Sequence, residues 1–220
     1  MRRLWTIFIA LCLVLCCSCA PVEDGQPISY LQTGSLFGQD GNYRLCVRSG
    51  QTEKPAVIDG TRGEMTSFAV MSLKVLDQGG QNGAYSYKIL VGDEQVVGEF
   101  VKDRFGANYS AELPQSVDVS KLTAVSIICG DTETAVPLTN VMADLVVDGG
   151  EALTIARETL AADLAKEEGE GISREIHVKF VNDGHNPESK YYWYVAFVRP
   201  DAPFFAVLID PDDGTVVAKR

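Results

Sequence analysis

The chain has 220 residues, of which 19 are basic and 30 acidic, giving a formal net charge of -11. Phosphate binding needs clustered Lys and Arg to displace counterions, and no basic run follows Arg3, so nucleic acid is excluded as an expected partner. The length suffices for one large domain or two small ones, and no stretch beyond the first segment is long and apolar enough to span a bilayer.

Met1-Arg2-Arg3 opens the chain with positive charge, and residues 4–17 are almost wholly apolar, which is the build of a secretory signal. At the end of this run, Leu15-Cys16-Cys17-Ser18-Cys19-Ala20 resembles the lipobox of bacterial lipoproteins. The resemblance implies cleavage after Ser18 and acylation of Cys19, a palmitate-type anchor that would hold the protein on the extracytoplasmic face of a membrane. Cys16 departs from the pattern, which usually has Leu there, and Cys17, with Val14 three residues before it, is the alternative site. Ordinary secretion or a retained N-terminal anchor are the other readings of the segment. Residues 1–19 are therefore read as signal peptide and lipobox, and residues 20–29, polar and rich in Pro and Gly, as a tether.

Residues 30–141 read as an antiparallel β-sandwich-like domain. Alternating runs at 43–47, 68–75, 85–91 and 96–101, and further candidates at 108–113, 124–129 and 134–138, are separated by turn chemistry with no helical stretch between them. Cys46 and Cys129 are the only cysteines beyond the leader, each in an apolar strand-like run, and they form either a disulfide or two buried thiols. Asn108-Tyr109-Ser110 has the form of a glycosylation acceptor, a chance match in a chain with a bacterial lipobox.

Residues 148–220 read as a second, α+β domain. Asp148 is placed to cap a helix, Leu153, Ala156, Leu160 and Leu164 recur at helical spacing, and Gly169 and Gly171 are expected to stop it. A strand follows with Ile176, Val178 and Phe180 on one face and Glu175, His177 and Lys179 on the other. The aromatic strand 191–198 comes next, and Pro200 and Pro203 argue against tight pairing with the strand at 204–209. Fold class is thus mainly β plus α+β: a front sandwich and a back helix packed on an antiparallel sheet.

In this back third, Trp193-Tyr194-Val195, Val207-Leu208-Ile209-Asp210, Gly214 and Val216 resemble the PepSY family, in which a helix precedes an antiparallel sheet carrying an aromatic strand and a final hairpin. The family is similar to part of thermolysin-like protease propeptides, and it is associated with extracytoplasmic proteins that restrain or regulate peptidases. The resemblance implies a noncatalytic module that binds a protein or peptide partner, a peptidase being one candidate. Longer connections at 182–190 and 200–203 depart from the family pattern and leave the binding surface unassigned.

Tyr192 and Tyr194 share the even-numbered face of the aromatic strand with Ala196 and are the candidate partner-binding residues. Burial of that face under the front domain is the expectation, and an aromatic platform the alternative. No Ser, His and carboxylate constellation rises above background, so no catalytic residue and no cofactor is assigned. His177 and His185, with Asp183 or Glu175, are read as surface histidines rather than metal ligands. Asp210, Asp212 and Asp213 with Gly214 read as a hairpin turn, because the oxygen spacing of a calcium loop fails. The expected function is that of a lipid-anchored envelope protein binding protein or peptide through its back domain. The alternatives are a structural or ligand-sensing lipoprotein binding through its front domain, and a hydrolase.

Overall fold

The computed structural model describes residues 28–61, 63–77, 83–92, 94–104, 108–166, 174–182, 189–200 and 202–220. The leader with Cys17 and Cys19, and also Gly169, Gly171, Asp183 and His185, lie outside the described residues.

The fold is mainly β with one long helix. In chain order the elements are β1 (Ile28–Asp40), β2 (Tyr43–Lys54), β3 (Glu64–Val75), β4 (Ser86–Val91), β5 (Glu94–Glu99), β6 (Val101–Lys102), β7 (Asn108–Glu112), a 3-10 turn (Val119–Lys121), β8 (Ala124–Cys129), β9 (Thr132–Pro137), β10 (Thr139–Asn140), α1 (Gly149–Leu164), β11 (Glu175–Val181), β12 (Tyr192–Arg199), β13 (Ala202–Ile209) and β14 (Val216–Lys219). Four of them make a small sheet in the order β5-β4-β8-β9. The others form one large sheet, β14-β13-β12-β11-β1-β2-β3-β7-β6, with β10 beside part of β1.

Alternation explains most of these strands. Leu45, Val47, Met71 and Leu73 point to one side of the large sheet and are fully buried against Ile89, Val125, Ile127 and Val136 of the small one, which makes the sandwich core. Ala152, Ala156 and Leu160 of α1 are buried against Ile176, Val178, Trp193, Val195 and Val207, which makes a second core. The helix begins as the sequence indicates: the Asp148 carboxylate accepts from the N–H groups of Gly150 (2.8 Å) and Glu151 (2.9 Å). Its last helical residue is Leu164, earlier than the glycines at 169 and 171 had implied. Trp193, 1% exposed, seals the second core and donates its indole N–H to the Val147 carbonyl at 2.8 Å, tying the helix approach to the sheet. None of the described helices is long and apolar enough to cross a membrane.

The two cores share a sheet. β1 pairs antiparallel with β2 along nearly its whole length and parallel with β11 through Ile28, Tyr30 and Leu31. Ile28 and Ser29, assigned by sequence to the tether, therefore belong to the central strand of the molecule. Leu31 lies opposite both Val178 and Gln51, and Gln51, Ser49 and Val47 alternate onto one side of β2. The helix and the small sheet consequently cover the same face of the large sheet, at its two ends. The proline expectation is also corrected: β12 and β13 pair from Trp193–Ile209 to Arg199–Ala202, with the prolines accommodated by a register shift near Arg199 and an exposed Pro203.

β1 accommodates two different neighbours through irregularities between Ile28 and Tyr30 and between Gln32 and Gly34. Gln32, 2% exposed, fills the second: its Oε1 accepts from the Phe180 N–H at 3.2 Å, and its Nε2 donates to the Gly34 carbonyl at 3.4 Å. Gln32→Ala leaves the buried Phe180 N–H without its partner, and the expected cost is about 1–3 kcal/mol of stability. A lowered urea midpoint followed by Trp193 fluorescence is the expected result.

Candidate functional site

The other face of the large sheet has no described helix or strand packed on it. Pairing fixes its occupants. One row across the strands runs Arg220, Ala206, Ala196, His177, Tyr30, Thr52 and Thr66, and the row beside it carries Ala218, Leu208, Tyr194 and Lys179, with Gly50 and Phe68 further on. Tyr192 lies on the same face one step further along β12. The sheet thus places the sequence-predicted pair Tyr192 and Tyr194 together on an open surface, each half-buried by its neighbours alone. The front domain does not cover them: it continues the same sheet edge to edge. The expectation of burial is overturned for Tyr192 and Tyr194, whereas Ala196 on the same face is buried, as are Trp193, Val195 and Phe197 on the other.

The rings of the open face touch one another and the cations beside them. Tyr30 and Phe68 have centroids 5.1 Å apart, His177 lies 6.4 Å from Tyr30, and the Lys179 ammonium sits 5.1 Å from the Tyr30 ring centre. At the far end the Arg220 guanidinium lies 4.3 Å above the Phe204 ring. Arg48 donates to the Ser72 hydroxyl at 3.4 Å, and a hollow of about 340 Å³ opens between Tyr30, Arg48, Lys54, Phe68 and Glu112. One end of the face is closed by the segment after β2. Both the Asp59 and Gly60 N–H groups donate to the buried Glu175 carboxylate, at 2.8 and 3.0 Å, and the Gly63 N–H donates to buried Glu53.

This surroundings set the protonation of the site. Burial, and secondarily the Lys179 charge, push the His177 pKa down to about 4 against an opposing pull from Glu53. Lys179 is itself lowered, first by burial and then by Arg48, while burial raises Tyr30 and Tyr194.

Other sequence candidates resolve differently. Cys46 lies on the open face opposite Phe37 and Ser72, whereas Cys129 ends β8 against the sandwich core, and both thiols are free, so of the two alternatives the structure shows separate thiols. Burial raises the Cys46 thiol pKa, opposed by Arg48 and a Ser35 hydrogen bond. Asp210 and Asp213 accept from the N–H groups of Asp212 (3.0 Å) and Thr215 (2.8 Å), Lys190 pairs with Asp210 at 2.8 Å and Asp212 at 2.6 Å, and Gly214 takes φ +76. This is hairpin chemistry. Among the described residues no group of three or more His, Cys, Asp or Glu could hold a metal ion.

A second recess lies on the covered face between α1 and the 3-10 turn, where hollows of about 360 and 450 Å³ share Thr33 and Asn140. Its carboxylates are engaged as caps: Asp118 accepts from the Ser120 N–H and hydroxyl, and Asp148 caps α1. Sequence reasoning found Tyr192 and Tyr194 but missed Tyr30, Phe68, Arg48, Lys179 and Arg220, which come from four other strands and the C-terminus. No family model matches the chain, and no curated protein or solved structure shows significant similarity to it.

The depressed His177 pKa couples stability to pH. Between about 6.5 and about 4 the unfolded chain takes up a proton that the folded chain refuses, so this contribution to stability is complete above the upper value and is lost as pH falls through the lower. His177→Gln is expected to remove that component. Urea midpoints measured near about pH 7 and about pH 4.5 should differ less in the variant than in the parent.

Proposed function

We propose that the protein is a noncatalytic, lipid-anchored envelope protein that binds a protein or peptide on the open face of its large sheet and thereby modulates an extracytoplasmic peptidase. The observation that carries this reading is the uncovered row of Tyr194, Leu208 and Lys179 with Tyr30 and Phe68 beside it, on a sheet whose other face is filled. Large amphipathic rings held half-exposed by a rigid sheet supply contact area at little entropic cost. The lipobox and PepSY resemblances supply the anchor and the class of partner.

The second reading, a structural or ligand-sensing lipoprotein binding through its front half, is favoured by the hollow beside Arg48, which is lined by front residues alone. The two separate by substitution. With a secreted peptidase of the host immobilised and the lipid-free chain as analyte, Tyr192→Ala combined with Tyr194→Ala should weaken binding by about tenfold or more with the melting curve unchanged. If that pair has no effect while Phe68→Ala abolishes binding, the front-half reading replaces the first. Turnover by the purified protein, lost when one carboxylate is substituted, would overturn the noncatalytic assignment.

The anchor has its own test. Cys19→Ala is expected to release the protein from the membrane fraction, and a variant that remains membrane-bound and uncleaved would refute lipidation at that residue.

A further inference from the structure

The open face is positive in a chain that is not. Its strand positions carry Arg44, Arg48, Lys54, Lys74 and Lys179, with Arg220 just past β14, against Glu64, Glu112 and Glu175, with Asp103 just past β6, while the whole chain stands at -11. Glu175 is already occupied by the Asp59 and Gly60 N–H groups. Elsewhere on the molecule, cations meet carboxylates: Lys88 with Glu133, Lys121 with Asp118, Lys190 with Asp210 and Asp212, Lys219 with Asp163. On the open face none of the six basic side chains makes an ion pair among the described residues, and two of them lie over aromatic rings instead. Arg48 is close enough to Lys179 to lower its pKa, so two like charges stand within electrostatic reach of each other.

We propose that this face takes an acidic, extended segment of a partner polypeptide, with its carboxylates on Arg48, Lys179 and Arg220 and its apolar side chains against Tyr30, Phe68, Tyr194 and Leu208. The proposal deepens the peptide-binding reading above and rests on it. The geometry suits an extended chain running across the strands. Lys179 on β11 is two strands from Arg48 on β2 and three from Arg220 beyond β14, roughly 10 and 14 Å at the spacing of a sheet, or about three and four residues of extended polypeptide. Neutral rings between separated charges match a segment of mixed acidic and apolar side chains. A nucleic acid, with its unbroken series of phosphates, would meet only scattered cations on a molecule whose overall charge repels it.

The test uses the whole chain and a fluorescein-labelled peptide with Glu at every second position among Val and Ser, beside the same peptide with Gln for Glu. The acidic peptide is expected to bind about tenfold or more tightly than its Gln counterpart, and added salt should weaken it. Arg48→Glu and Arg220→Glu, both at exposed positions, should each reduce that preference with an unchanged melting curve, whereas Lys121→Glu, away from the face, should not. Equal binding of the two peptides that is lost in Tyr194→Ala would overturn the acidic specificity and leave the peptide-binding reading standing. Binding of neither peptide, with adsorption to phosphatidylglycerol vesicles that Arg48→Glu and Arg220→Glu abolish, would make the face a membrane-contact surface and overturn the proposal. Binding of neither ligand overturns it as well.

Discussion

The molecule depends on one strand having two unlike neighbours. β1 gives one edge to β2 in antiparallel pairing and divides the other between β11, in parallel pairing, and β10, in antiparallel pairing. A parallel neighbour requires a crossover, and here the crossover is the rest of the front half followed by α1. The two pairings do not fit one regular strand, so β1 is irregular twice, and buried Gln32 bridges the second irregularity to the Phe180 N–H. A Cβ at Gly50 would run into the Leu31 carbonyl at the same place, so close backbone approach restricts that position too. Two small cores, each too modest to enclose its strands on both sides, become the two ends of a single layer. Because both lie on the same side of that layer, no described helix or strand covers its reverse side, which the segment after β2 closes at the Glu175 end.

Much of this was legible in the chain, and what was not has a physical reason. Leu45 with Val47, and Ile176 with Val178 and Phe180, follow a period of two and point where the pattern says. The helix announces itself through Asp148 and the spacing of Ala156, Leu160 and Leu164. β1 does not: Ser29, Gln32, Thr33, Gly34 and Ser35 dilute its apolar positions, and its irregularities shift the alternation partway along, so the stretch reads as the end of a tether and a vague beginning. Missing that strand meant missing that the two halves share a sheet. The aromatic strand shows the complementary limit: its sequence says that Tyr192, Tyr194 and Ala196 travel together, but whether anything lies over them is decided by elements far away in the chain. The cationic residues of the face were hidden for the same reason. Arg48, Lys179 and Arg220 are far apart in sequence and become a group only when the strands align.

An uncovered sheet face bearing this many rings invites association, and the placement of the cations bears on why it can remain a surface. The Lys179 ammonium lies over the Tyr30 ring and the Arg220 guanidinium over Phe204, so each cation shades part of an apolar ring. Stacking a second such face on the first would bring like charges together, which disfavours indiscriminate pairing. The charge is also constant. His177, with a pKa of about 4, is neutral at about pH 7, where Lys and Arg side chains are cationic and carboxylates ionised. The positive character of the face therefore comes from Lys and Arg alone, and the partner's carboxylates, not this protein's histidine, would set any weakening of their attraction as the medium turns acid.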